Sequence, residues 1–286
     1  MLLSWPVVLA VLFGALLHAS WNALIKGGSD KTLDTALMHV LGVVVAIPML
    51  VVFGLPRTEA WPYVLASLVT HIGYYIALVG AYQHGELGLT YPIMRGLAPL
   101  LVACASATAL GESLGPLAWL GVLGISAGVV SVGLSRSAAA GGHPAKALRY
   151  ALANAAIIAL YTVIDGLGVR ASGNAPAYVA ALFLFDGVPF FLLVMWRRRA
   201  RGGETLAYLR RRWPVAAAGS AASMGSYGIA LWAMTKAPVA SVAALRETSV
   251  LFAAAIGALW LKEGFGALRA LGTALIVAGV MTLRLA

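Results

Sequence analysis

GESLGPLAWLGVLGISAGVVSVGL, residues 111–134, returns as KEGFGALRALGTALIVAGVMTLRL, residues 262–285. Glu112 falls on Glu263, Gly115 on Gly266, Leu120-Gly121 on Leu271-Gly272 and Gly128-Val129 on Gly279-Val280, all at an offset of 151. Upstream, Arg95 meets Arg246 at the same offset, while Trp61-Pro62, Gly73 and Tyr75 meet Trp213-Pro214, Gly225 and Tyr227 at 152. Such spacing over an apolar background is hard to produce by composition alone, so residues 61–134 and 213–285 read as an internal duplication. Trp21 with Tyr161 and Pro48 with Pro189, at offsets of 140 and 141, extend the match towards the start of each copy.

The background decides what kind of repeat this is. Of the 286 residues 61% are hydrophobic and 10% charged, and the mean hydropathy is +0.90. A soluble domain carries about 25% charged residues, so the solvent of this chain is largely lipid. Only helices and closed barrels satisfy their backbone there. The apolar runs are much longer than the roughly 10-residue strands of a barrel, which leaves helices. Cys104 is the one cysteine and is expected to be a small apolar filler; one cysteine excludes an internal disulfide and any cysteine-based metal cluster.

Ten apolar segments follow one another at 4–26, 35–55, 61–83, 87–110, 116–135, 148–169, 176–196, 213–235, 238–261 and 266–284. Each has roughly the 17–25 residues that cross a hydrocarbon core. The opening "MLLSWP" lacks the basic stretch of a signal peptide, so the first segment is expected to be a span. The reading is an all-α, polytopic membrane protein with a five-helix repeat at 1–135, a linker at 136–147 rich in Gly and Ala, and a second repeat at 148–286. Five is odd, so the second repeat enters the membrane from the opposite face, and the repeats are inverted about an axis in the membrane plane. The glycines of the fifth and tenth segments are expected to form a packing seam.

A net charge of +10 would point to nucleic acid in a soluble protein. Here the cations sit in loops and report orientation instead. Lys26, Lys31, Arg136, Lys146, Arg149, the seven arginines from Arg197 to Arg212, Lys262 and Arg269 share one face. The other has only Arg57, Arg170, Lys236 and Arg284. By the positive-inside rule the Arg-rich stretch is cytoplasmic and both termini are external.

Ten helices, a five-plus-five duplication and a Glu shortly before a Gly-rich fifth helix in each half resemble the drug/metabolite transporter superfamily, above all its EamA-like branch. The residues that carry the resemblance are HASWNALIK at 18–26, GESLGPLAWLGVLGISAGVV at 111–130 and KEGFGALRALGTALIVAGVM at 262–281. The resemblance covers nearly the whole chain. It implies a central substrate cavity formed by helices 1, 3, 4, 6, 8 and 9. It also implies cytoplasmic termini, where the loop charges of this chain argue the reverse.

Arg95 and Arg246 are the sharpest candidates, since ionised groups inside a span are costly and face a cavity or a partner. Each lies about 10–12 Å into its segment at about 1.5 Å per residue, from opposite faces. A guanidinium there can hold a carboxylate or phosphonate with two parallel bonds. Alternatively it locks helices in an ion pair. Arg246 is expected to pair with Asp165, at a similar depth, with Glu247 adjacent. Arg95 is expected to be unpaired, its nearest charged neighbour being Lys26. His18 and Asn22 share a helix face, with Trp21 beside them, either lining the cavity or packing. Tyr75 and Tyr227, matched by the repeat, fall on cavity helices, as do Tyr74, Tyr91, Tyr161 and Trp232. His71 either relays a proton or bonds a neighbouring helix. Asp186 in the middle of the seventh segment has Val45 as its repeat mate and no evident partner. Glu112 and Glu263 are read as carboxylates favouring the helix starts that follow them.

No phosphate-cradling Gly-x4-Gly-Lys-Ser/Thr and no His-Glu-x2-His occurs. The expected protein is a secondary transporter, not an enzyme, with no cofactor and no metal, in the inner cell membrane. It would export amino acids or related small polar metabolites by alternating access, as monomer or homodimer, with proton coupling a further expectation. Two rivals are a multidrug exporter of cationic compounds and an intramembrane enzyme acting on lipid phosphates.

Overall fold

The computed structural model describes the chain apart from residues 1–2, 85–86, 135–143 and 262–265, and apart from the side chains of residues 26, 87–89, 144 and 257–261. Glu263 and most of the 136–147 linker therefore lie outside the described residues; 144–147 already belong to a helix. The helices are α1 (Trp5–Lys26), α2 (Lys31–Phe53), α3 (Trp61–His84), α4 (Leu87–Ala109), α5 (Pro116–Leu134), α6 (Pro144–Ser172), α7 (Ala175–Arg197), α8 (Gly202–Met234), α9 (Val239–Arg246), α10 (Ser249–Leu261) and α11 (Ala267–Leu285). Among the described residues there is no strand. The fold is an all-α polytopic membrane protein. Among the described residues nine spans are long and apolar enough to cross a membrane, with α9 and α10 forming the ninth segment between them. α8 is as long as any, but its Ala, Gly and Ser content keeps it below that apolarity; it packs on α1 and α2.

Helix pairing follows the duplication. α1 packs on α8 and α3 on α6, which exchange when the halves are exchanged, while α2 packs on α7 and α5 on α11. At the α5–α11 seam a side-chain carbon added at Gly121 would lie 2.9 Å from the Gly279 carbonyl, and one at Gly128 would lie 2.6 Å from the Gly272 carbonyl. As residue numbers rise on α5 they fall on α11, so the helices are antiparallel. Exchange by 151 turns the first contact into the second. Antiparallel mates require an axis in the membrane plane, which makes the repeats inverted. Only glycine permits this approach. The string Gly124-Ile125-Ser126-Ala127-Gly128 spells a hydrolase elbow, but it lies inside α5 with Ser126 buried, not at the strand-to-helix turn that exposes such a serine.

The α2–α7 pair is tied at both ends. Asp30 caps α2 by accepting from the Leu33 amide at 3.1 Å and pairs with Arg198, just past α7, at 2.8 Å. Asn174 caps α7 and donates to the Phe53 carbonyl at the end of α2 at 2.8 Å. The middle of the bundle belongs to α6 and α9–α10, buried over 61% of their spans against 28% for α1, α3 and α11. Polar groups on those two segments are therefore largely removed from lipid.

Candidate functional site

The ninth segment, expected as one helix, changes geometry at its centre. α9 ends at Arg246 and α10 starts at Ser249. Between them the Glu247, Thr248, Val250 and Leu251 amides donate to carbonyls three residues back, at 2.9–3.1 Å. This is a tight 3₁₀ turn, a geometry that in mid-helix often marks a hinge. The sequence signal is Arg246-Glu247-Thr248-Ser249, four polar residues running through an apolar span.

The turn aims Glu247 across the molecule. Its Oε2 lies 2.8 Å from Arg95 Nε of α4, with side chains 6% and 12% exposed. The approach is off the N–H direction, so charge holds the pair without an aligned hydrogen bond. Arg95 is therefore not the unpaired arginine the sequence predicts. The spacing puts the two arginines on either side of the midplane; Glu247, one residue further along than Arg246, closes the distance to Arg95. The Lys26 side chain, its expected neighbour, is outside the described residues.

Arg246 carries the opposite correction. No carboxylate of the described residues lies within ion-pair distance of it, and its guanidinium sits 5.2 Å over the Tyr227 ring. Asp165, its expected partner, is fully buried and accepts from Tyr178 Oη at 3.0 Å and from Tyr227 Oη. Ser67 and His71 of α3 also lie against it. Tyr227 thus stands between Arg246 and the acid. The repeat explains why no second acid substitutes. The position matching Glu247 is Gly96, where a side-chain carbon would meet Val130 Cγ2 at 2.6 Å and the Ser126 carbonyl at 3.1 Å. The first half has no room for an acid there.

Around the two arginines stands an aromatic wall. Tyr161 lies within reach of both guanidinium charges, stacks on His71 at 4.6 Å, and meets Tyr74 edge-on at 6.0 Å. His71 bonds its own helix through Nδ1 to the Ser67 carbonyl at 2.8 Å. His18 also feels both arginines, and Tyr91 is one turn before Arg95 on α4.

The other expected site residues lie elsewhere. Trp21 meets His18 edge-on at 5.2 Å but packs among Ile25, Leu41, Leu37 and Met38. Asn22 donates to the His18 carbonyl at 2.7 Å and so spends its amide on its own helix. Tyr75, repeat mate of Tyr227, bonds His39 instead of an acid. Trp232 is exposed near the end of α8. Cys104 is on the exposed face of α4, not in the core.

Residues 145–285 match the model of the EamA-like transporter family. The chain belongs to this family. A solved structure described as "Crystal structure of protein" aligns with 97% of this chain and 96% of its own at a TM-score of 0.71; at 20% identity the likeness speaks for the fold. None of the curated proteins matches. The matched half of this EamA-like chain contains Asp165, Tyr227, Arg246 and Glu247, whereas Arg95 comes from the other half.

Ionic ties close this EamA-like bundle at both faces. Arg170 at the end of α6 donates to Glu112 at 2.6 Å and to the Met234 and Ala237 carbonyls. Glu112 accepts from the Val239 amide at 2.8 Å. The helix start it favours is therefore that of α9, not of α5, because the tight turn after α4 carries it across to the other half. On the opposite face Arg212 of α8 clasps Asp34 of α2 at 2.9 and 3.1 Å and donates to the Leu24 carbonyl of α1.

Proposed function

We propose that this membrane transporter exports small polar metabolites bearing a carboxylate, amino acids or related compounds, by alternating access about the arginine site. The moving units would be the repeats at 1–135 and 148–286, joined by 136–147. The protein would sit in the inner cell membrane, with the Arg-rich 7–8 connection cytoplasmic. The observation that carries the reading is the spare charge at Arg246. Its mate Arg95 has the Glu247 carboxylate at 2.8 Å, while Arg246 lies over an aromatic ring and acts on Glu247 only from beyond ion-pair distance. An intramembrane guanidinium on such a wall suits a planar carboxylate next to an apolar or ring-bearing body. Neither half alone forms the site, since Glu247 of one half holds Arg95 of the other. Relative motion of the repeats would thus alter it directly, as alternating access requires.

A thermal-shift screen of the purified protein against amino acids, phosphonates, nucleosides and cationic dyes tests the reading. Carboxylates should stabilise the wild type, and Arg246→Ala should abolish the shift. Arg246→Lys, which keeps charge but loses the planar fork, should weaken it. Stabilisation by cationic dyes alone, undiminished by Arg246→Ala, would move the reading to a cationic-compound exporter using Asp165 and the tyrosines.

A further inference from the structure

Asp186 stands in the middle of α7, eleven residues from either end, so about 16 Å of helix separates it from each face at about 1.5 Å per residue. A carboxylate at that depth is costly and marks an ion or proton pathway more often than a packing site. Its partner is His39 of α2, with Nε2 3.7 Å from Asp186 Oδ2. Gly187 lets the two helices meet here: a side-chain carbon on it would lie 2.7 Å from the His39 carbonyl.

The hydrogen bonds of His39 make it a two-position switch. Nδ1 lies 2.8 Å from the Thr35 carbonyl. A carbonyl only accepts, so Nδ1 carries a hydrogen whatever the charge of the ring. The variable nitrogen is Nε2, which faces Tyr75 Oη at 3.3 Å and the carboxylate of Asp186. A neutral ring accepts there from Tyr75. A protonated ring has a hydrogen to donate and turns to the carboxylate. One proton therefore decides whether Tyr75 is held.

Tyr75 leads to the arginine site. It meets Tyr74 edge-on at 5.3 Å, and Tyr74 meets Tyr161, which stands beside both arginines. Phe190 of α7 backs both His39, at 5.1 Å, and Tyr75, at 6.1 Å. The charged and titratable groups facing His39 are Asp186 from α7 and Tyr75 from α3. From α8, the Arg212 guanidinium is nearest along α2, and Asp34 occupies it. The His39 and Asp186 side chains are 23% and 32% exposed, so neither is sealed inside the protein.

We propose that His39, Asp186 and Tyr75 form a proton-binding site, separate from the arginines, through which a proton gradient drives transport. The proposal rests on the transporter reading. Binding adds one proton to the Nε2 lone pair, the imidazolium pairs with Asp186 and Tyr75 is released; loss of the proton restores the Tyr75 bond. His71, the expected coupling residue, stacks on Tyr161 and lies against Asp165.

Two measurements on the full chain test this. Long-range proton–nitrogen spectra of ¹⁵N-histidine-labelled protein, assigned with His39→Gln, should show His39 with hydrogen on Nδ1 at alkaline pH. The imidazolium should appear on acidification, with the Nδ1 hydrogen kept. Hydrogen on Nε2 in the neutral form, or a ring that stays neutral on acidification, would overturn the site. In proteoliposomes with a labelled amino-acid mixture as probe, a pH gradient should speed movement in the wild type. Asp186→Asn and His39→Gln should each lose about tenfold of that acceleration, a usual size for linked binding, while gradient-free exchange stays within about twofold. Exchange with no response to the gradient in the wild type, or a full response in both variants, would refute the coupling. Absence of exchange in the wild type would refute the transport reading, and the spectra would still decide whether the site binds a proton.

Discussion

Arg95 and Arg246 occupy matching positions in the two halves and live in opposite circumstances. Arg95 has a carboxylate at 2.8 Å, and Arg246 has the face of a tyrosine. The difference arises one residue further on, where the second half has Glu247 and the first has Gly96. A duplicated fold supplies two equivalent cations, and one glycine pressed against Val130 keeps the first half from supplying an acid. An approximate symmetry thus becomes an asymmetric pair, with one arginine in an ion pair and the other over an aromatic ring.

Four substitutions bear on that contrast. Glu247→Gln should have the largest effect on folding, about 3–5 kcal/mol, because it leaves the Arg95 charge buried without its partner. Denaturation in detergent would read it, and the Arg95→Met, Glu247→Gln double variant should be more stable than Glu247→Gln alone. A harmless Glu247→Gln would mean that the two arginines are alike after all. Gly96→Ala should cost about 1–3 kcal/mol through overpacking against Val130. No loss there would remove the reason for the missing acid. Tyr227→Phe should cost about 1–2 kcal/mol, since buried Asp165 loses one of its two tyrosine donors. The ring under Arg246 is kept, so carboxylate binding should persist. Arg246→Ala should be gentlest on the fold, about 0.5–1 kcal/mol for the lost cation–π contact, while removing carboxylate binding. A cost as large as that of Glu247→Gln would reveal a hidden structural role.

The repeat, the inverted architecture and the glycine seam of α5 and α11 were all legible from spacing, because they are periodic properties of one strand of text. What escaped was partner choice. Glu247 reaches Arg95 because a 3₁₀ turn re-aims it, and Tyr227 intervenes before Asp165. Both outcomes depend on how helices are rotated about their axes, which composition and offset leave open. Asp186 was visible as an anomaly, but His39 could be matched to it only once the α2–α7 contact was known. Glu112 was read against the helix next in sequence, whereas it serves one that begins 127 residues later. Tyr75 and Tyr227 were treated as equivalent because the repeat aligns them, yet they bond different groups in different parts of the bundle.

The ties at the two ends of α2 also govern how this protein can be made. Asp30 waits for Arg198, and the last carbonyls of α2 wait for Asn174. When the ribosome has delivered the first five helices, α2 still lacks the neighbour that completes both of its ends. The first half is thus inserted as an unfinished object, its polar ends wet and its α7-facing stripe against lipid or insertion machinery. Both ends of α2 find their partners only when α7 leaves the exit tunnel. A nascent chain stalled before Asn174 emerges should be the species that quality-control proteases recognise, and one stalled once Arg198 has left the tunnel should already resist them.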